Sequence, residues 1–161
     1  SLGVSKVLTK EELLLSINHA FTTGTPSVLI ESLLIGKEFS VGVVPGDDLR
    51  PIAMPITEII SENDFFDYEA KYEGASQEIT PAEISKELAD KIRLHALQAY
   101  KSLNYRGMVS VDCIVVVESR PSILEINSFP GFTKMSLLPQ TLAHAGLNFR
   151  DLLSTIIDVP Y

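Results

Sequence analysis

The chain has 161 residues, 13 Lys+Arg against 21 Asp+Glu, a formal net charge of −8, one Cys and no Trp. That length, with 45% apolar residues, suffices for one domain with a buried core and excludes a disordered chain. The acidic balance argues against a nucleic-acid backbone as partner, although not against a nucleotide whose phosphates are neutralised by metal ions on carboxylates.

No apolar run of about 18 residues reads as a membrane span, and no segment reads as a signal peptide. The single cysteine excludes an internal disulfide framework, and Cys113, in an apolar run, is expected to be a buried, reduced thiol. The chain opens on Ser1 in Ser-Leu-Gly-Val-Ser-Lys, which reads as the tail of a small-residue loop.

Thr9 followed by Glu12 is a capping-box signature. Leu13, Leu14, Ile17 and Phe21 then recur at helical spacing, which predicts a helix over Lys10 to Thr22, stopped by Gly24 and Pro26. Val28 to Leu34 reads as a short apolar strand with Glu31 inside it. After Gly36, Glu38 to Val44 alternates as a half-buried strand does. Leu49 to Ile59 reads as a third strand, and Pro51 and Pro55 place it at an edge or on a bulge.

Residues 61–77 carry five acids, four aromatics and one Lys without a clear period. A loop this long inside a compact domain is functional or disordered, and its aromatics favour function. Thr80, with Pro81 at the first helical position and Glu83 after it, predicts a helix running to Leu103. Met108 to Val117 and Ile123 to Ser128 read as a strand hairpin. Ser136 to Ala145 reads as a helix ended by Gly146, and Asn148 caps a last one. The expected fold is α+β, a mainly antiparallel sheet with helices packed on one side.

The hairpin carries the sharpest chemistry. Side chains alternate along a strand, so Glu125 and Asn127 share a face. A tight turn near Ser119 to Pro121 brings Asp112 opposite or next to Asn127, while Leu124 and Ile126 are expected to point into the core. Carboxylates this close repel unless a cation lies between them. Mg²⁺ suits one or two carboxylates supplemented by phosphate and water oxygens. An ordinary solvated strand face with three polar residues remains the alternative.

The chain resembles the C-terminal part of the D-alanine–D-alanine ligases, a family of the ATP-grasp superfamily. The likeness rests on Ser-Leu-Gly-Val-Ser-Lys (1–6), Leu-Ile-Glu-Ser-Leu-Leu-Ile-Gly-Lys-Glu-Phe (29–39), Phe-Asp-Tyr-Glu-Ala-Lys-Tyr (66–72), Val-Asp (111–112), Leu-Glu-Ile-Asn-Ser-Phe-Pro-Gly-Phe-Thr (124–133) and Ser-Leu-Leu-Pro (136–139).

The resemblance implies an ATP-grasp C-terminal lobe over 28–161, with a lid loop at about 61–78, preceded by a remnant of the central lobe over 1–27. It implies that Asp112, Glu125 and Asn127 hold two Mg²⁺ ions, with Mn²⁺ as a substitute, that bridge the phosphates of ATP. Glu31 and Leu33 correspond to the adenine-recognising hinge and Glu38 to the ribose partner; Ile114 and Leu124 line the adenine pocket, unless core packing alone explains them. Lys71 and Tyr72 lie in the lid, the Lys on the γ-phosphate or else as a solvated charge. Phe65 or Phe66 covers the adenine or packs under the loop. Gly131 and Ser136 correspond to the second-substrate loop, with plain helix capping as the rival for Ser136. His19, His95 and His144 match no family site and read as surface or packing residues.

The implied activity is ATP-dependent formation of D-alanyl-D-alanine through an acyl-phosphate, by a cytoplasmic enzyme that is a homodimer as the full protein. Its partners are D-alanine and ATP, with no nucleic acid and no membrane, and the 161 residues are expected to be inactive alone. One departure stands out: Ser110 occupies a position where the family has an Arg facing the phosphates. It keeps open a non-catalytic nucleotide-binding module. Another D-alanyl product, such as D-alanyl-D-lactate, also stays open.

Overall fold

The computed structural model describes residues 3–46, 48–61, 76–116, 120–133 and 135–158. The chain divides into two compact units, one of residues 1–34 with 61–76 and one of 35–60 with 77–161.

The first unit contains α1 (Lys10–Thr22), with the capping box the sequence predicts: the Glu12 amide donates to Thr9 Oγ1 at 3.2 Å, and the Thr9 amide to Glu12 Oε2 at 3.3 Å. The strand expected over Val28 to Leu34 does not form. The segment joins no ladder, and Leu29 and Ile30 stand 80% and 59% exposed. Apolar, β-branched composition makes a strand only where a neighbour accepts its backbone hydrogen bonds.

The second unit is built on five strands in the order β3-β2-β1-β4-β5: β1 (Lys37–Pro45), β2 (Pro51–Ser61), β3 (Ser76–Ile79), β4 (Val109–Val115) and β5 (Ser122–Asn127). The pairs β1/β2, β1/β4 and β4/β5 are antiparallel. β2 is an interior strand, so its prolines need a bulge. Val41 faces Ile56 but Val43 faces Ala53, which places one extra residue at Met54–Pro55, where the missing proline N–H costs no ladder bond. β3 falls at the end of the segment read as loop; its four residues are too few to show a period.

Helices flank both faces of the sheet rather than one. On one face, Phe39, Val41, Val43, Ile56, Val109, Val111, Cys113 and Val115 form a core with Ile92, Ala96 and Tyr100 of α2 (Lys86–Ser102). On the other, Val44 and Met54 pack with Leu138 and Leu142 of α3 (Leu137–His144) and Leu152 of α4 (Phe149–Asp158). Gly42 permits this approach, since a Cβ there would sit 2.5 Å from Leu138 Cδ1.

The helix expected from Thr80 begins later, with Ser85 as its cap, accepting from the Leu88 amide at 3.2 Å. Thr80 is otherwise engaged: its hydroxyl lies 2.6 Å from that of Thr57, and the Ala82 amide donates to Ile56 O. Asn148 caps α4 as expected, its Oδ1 accepting from the Arg150 amide at 2.8 Å.

Candidate functional site

The site face is the side of the sheet opposite α2. Phe39, Val41, Val111 and Cys113 point into the α2 core, so alternation turns Glu38, Ser40, Ser110, Asp112 and Ile114 to the other side. Across the ladders Glu38 pairs with Ile114, Ser40 with Asp112, Asp112 with Glu125 and Ser110 with Asn127. Asp112 thus stands opposite Glu125 and next to Asn127, the second of the two arrangements the hairpin allowed.

A bulge in β5 corrects the expectation for Leu124. Ile123 and Ile126 both pack on the α2 core, yet they are three residues apart, which strict alternation forbids. Asp112 faces Glu125 while Cys113 faces Ile123, so Leu124 is the inserted residue. It leaves the core and stands 49% exposed beside Glu125. Ile126 keeps its inward direction.

Asp112 is half-buried, whereas Glu125 and Asn127 are exposed. Asp112 Oδ1 accepts from Ser40 Oγ at 2.6 Å, and Ser110 Oγ lies 3.0 Å from Ser40 Oγ and 3.4 Å from Asp112 Oδ1. Asn127 Oδ1 accepts from the Phe129 amide at 3.0 Å, which orients its amide and leaves the oxygen a second lone pair. Ser40 escaped the sequence reading. It looks like one small residue in an alternating strand, and only its place two residues after Glu38, on the same face, could have flagged it.

The donor set suits a hard cation. Like charges directly opposite each other destabilise a sheet unless something positive separates them. Among the described residues no group of three or more His, Cys, Asp or Glu gathers; the face offers the two carboxylates of Asp112 and Glu125, with the Asn127 amide beside them. Two carboxylates and an amide fit Mg²⁺, which completes its shell with phosphate and water.

Cys113, beside Asp112 but on the core side, is 2% exposed. Burial, assisted by the Asp112 charge, pushes its thiol pKa up to about 12, so it is an inert packing residue, as expected.

Glu38 is half-buried and its ladder partner Ile114 is 4% exposed, so the structure brings both, with Leu124, to the face that carries Asp112. Glu31 and Leu33 lie in the other unit, and both are exposed. Phe65, Phe66, Lys71 and Tyr72 lie outside the described residues.

From Asn127 the chain enters the loop that leads into α3. Ser136 sits at the N-cap but makes no side-chain cap bond; its Oγ lies 2.9 Å from Thr133 Oγ1. A Cβ on Gly131 would come 2.6 Å from Ser136 Oγ, so any larger residue would displace that hydroxyl from its present place. Gln140 ties the loop down by donating to Met135 O at 2.9 Å and Glu78 Oε2 at 3.2 Å. Phe129, Phe132 and Phe149 meet in series as tilted rings, with centroids 5.5 and 5.4 Å apart, and link the loop to α4.

Comparison with known proteins gives this arrangement a context. A D-alanine–D-alanine ligase of Flavobacterium johnsoniae is 45% identical over 159 residues, covering 99% of this chain and 48% of that protein. The crystal structure of a D-alanine–D-alanine ligase from Bacillus anthracis matches with a TM-score of 0.80 at 33% identity, covering 98% of this chain and 50% of the other. A Bacillus anthracis ligase complexed with ATP matches with a TM-score of 0.77 at 28% identity, covering 94% and 47%. The chain spans about half the length of the curated relatives it matches. The family profile described as D-ala D-ala ligase C-terminus matches residues 1–158, and the chain therefore belongs to the D-alanine–D-alanine ligase family, within its C-terminal portion.

Proposed function

We propose that this chain is the ATP-binding half of a ligase that joins two D-alanine molecules. The carboxylate of the first takes the γ-phosphoryl group of ATP, and the amine of the second displaces phosphate from the acyl-phosphate. The observation that carries the reading is the pairing of Asp112 with Glu125, with Asn127 beside them, in a chain 45% identical to such a ligase.

Two Mg²⁺ ions, or Mn²⁺ in their place, held by Asp112, Glu125 and Asn127, would neutralise the phosphate charge when bound. The chain's own residues orient and exclude water. Glu38 takes the ribose hydroxyls and Ile114 and Leu124 offer apolar surface to the adenine, while the family correspondence alone assigns Glu31, Leu33 and Phe65 to the same nucleotide. The family correspondence assigns Lys71 to the γ-phosphate and Tyr72 to the same segment, a role that would keep water from the acyl-phosphate. Gly131 lets the loop approach, and Ser136 with the α3 N-terminus holds the carboxylate of the second D-alanine. Ser110 supplies no charge, so neutralisation at that position falls to other groups. Residues 1–27 are a strip of the central lobe and 28–161 the C-terminal lobe. The full enzyme is a cytoplasmic homodimer, and the chain alone does not complete the cycle.

A coupled phosphate-release assay on the full-length protein tests this. Release that requires D-alanine is expected, and no release with D-alanine present would overturn the reading.

A further inference from the structure

We infer that Ser40 positions Asp112 for metal binding, with Ser110 acting behind it as a second hydroxyl donor. The inference rests on the assignment of Asp112 as a metal ligand. Ser40 lies on β1 directly across the ladder from Asp112, and at 3% exposure it meets little competition from water. Its Oγ is 2.6 Å from Asp112 Oδ1, the length of a charge-assisted O–H···O⁻ bond.

A hydroxyl has one proton, and Ser40 commits its own to the carboxylate. Ser110 has one proton too, which goes either to Ser40 Oγ at 3.0 Å or to Asp112 Oδ1 at the longer 3.4 Å, and the shorter contact is then a bond in which Ser110 donates to Ser40. The order Ser110 to Ser40 to Asp112 aligns both dipoles toward the carboxylate, and such chains strengthen one another in a low dielectric. The physical effect is on rotation. With Oδ1 held by a residue fixed in the middle of a sheet, the Asp112 carboxylate loses its freedom about Cβ–Cγ and keeps one orientation toward the face it shares with Glu125. Partners that orient a metal ligand typically contribute about 10- to 100-fold in metal affinity.

The experiment uses the full-length ligase and reads Mn²⁺ binding by electron paramagnetic resonance, with a non-hydrolysable ATP analogue present. Ser40→Ala is expected to weaken Mn²⁺ binding about tenfold or more, while Ser40→Thr, which keeps the hydroxyl, stays within about threefold of wild type. Ser40→Ala binding within twofold of wild type would overturn the inference. Equal weakening in the Ala and Thr variants would overturn it too, because packing and not the hydrogen bond would then be responsible. If Ser40→Ala does not fold, Ser40→Cys, of similar shape but a weak donor, carries the same expectation. Asp112→Asn separates the two levels: undiminished Mn²⁺ binding in that variant would remove the metal-site reading itself, whereas loss there with no loss in Ser40→Ala would remove only the role of Ser40.

Discussion

Asp112 and Glu125 stand directly opposite each other on β4 and β5, two carboxylates paired across one ladder with Asn127 on the same face. A sheet selected for stability alone would not keep this pair. Facing like charges cost about as much as a favourable pair contributes, about 0.2–1 kcal/mol. Glu125→Gln is therefore expected to raise the melting temperature slightly in EDTA, by about 1–3 °C for a domain of this size. On the proposed metal-site reading the order is expected to invert in Mg²⁺ with nucleotide, because the wild type would gain binding energy that the variant lacks. Thermal melts of the full-length protein under both conditions check this, and an unchanged order would contradict it.

On the proposed ligase reading, Gly131→Ala is expected to damage the second-substrate step. The added Cβ would lie 2.6 Å from Ser136 Oγ, so the hydroxyl must leave its place beside Thr133. Displacements of this kind, near 1 Å, cost up to about 100-fold in rate. Steady-state kinetics should show the loss in kcat/KM for the second D-alanine, with the KM for ATP little changed.

Tyr100→Phe tests the α2 face. The Tyr100 hydroxyl donates to Gly107 O at 2.7 Å, and the ring is 4% exposed, so its removal is expected to cost about 1 kcal/mol in urea unfolding. Burial also raises the pKa of this phenol above its ordinary value near 10. The unfolded chain thus ionises first, and the stability the neutral phenol contributes is full below about pH 10 and is lost as pH rises through the folded-state pKa. Unfolding curves at pH 8 and pH 10.5 should show a steeper decline for the wild type than for the variant.

Cys113 is expected to resist a thiol reagent in the native protein at pH 8 and to react fully in denaturant, given its burial and its thiol pKa of about 12. Rapid native labelling, followed by mass spectrometry, would mean that β4 opens far more readily than an interior strand should.

Gly42→Ala should be the most destabilising of these changes. Its Cβ would meet Leu138 Cδ1 at 2.5 Å, and overpacking of this kind costs about 1–3 kcal/mol. Denaturant unfolding measures it, and a value near zero would show that α3 can shift away from the sheet.

Local features were legible without coordinates because they are local in cause. The capping box at Thr9 and Glu12, the Asn148 cap and the alternation of Glu125 with Asn127 each depend on residues a few positions apart. The sequence by itself therefore determined α1, the hairpin, its oxygen donors and the family. It did not determine which apolar segments become strands: Val28 to Leu34 has strand composition, but strand formation needs a neighbour, and Thr80 has cap chemistry but spends its hydroxyl on Thr57.

Only the tertiary structure decided the register. Ile123 and Ile126 both pack against the core on the α2 side, which goes with the bulge, leaves Leu124 exposed and sets Asp112 against Glu125. The Ser40 to Asp112 bond joins residues 72 positions apart, and no local pattern encodes it. Such contacts follow from how strands distant in sequence align when their apolar faces bury together, and a shift of one residue would turn every one of these oxygens to the opposite face.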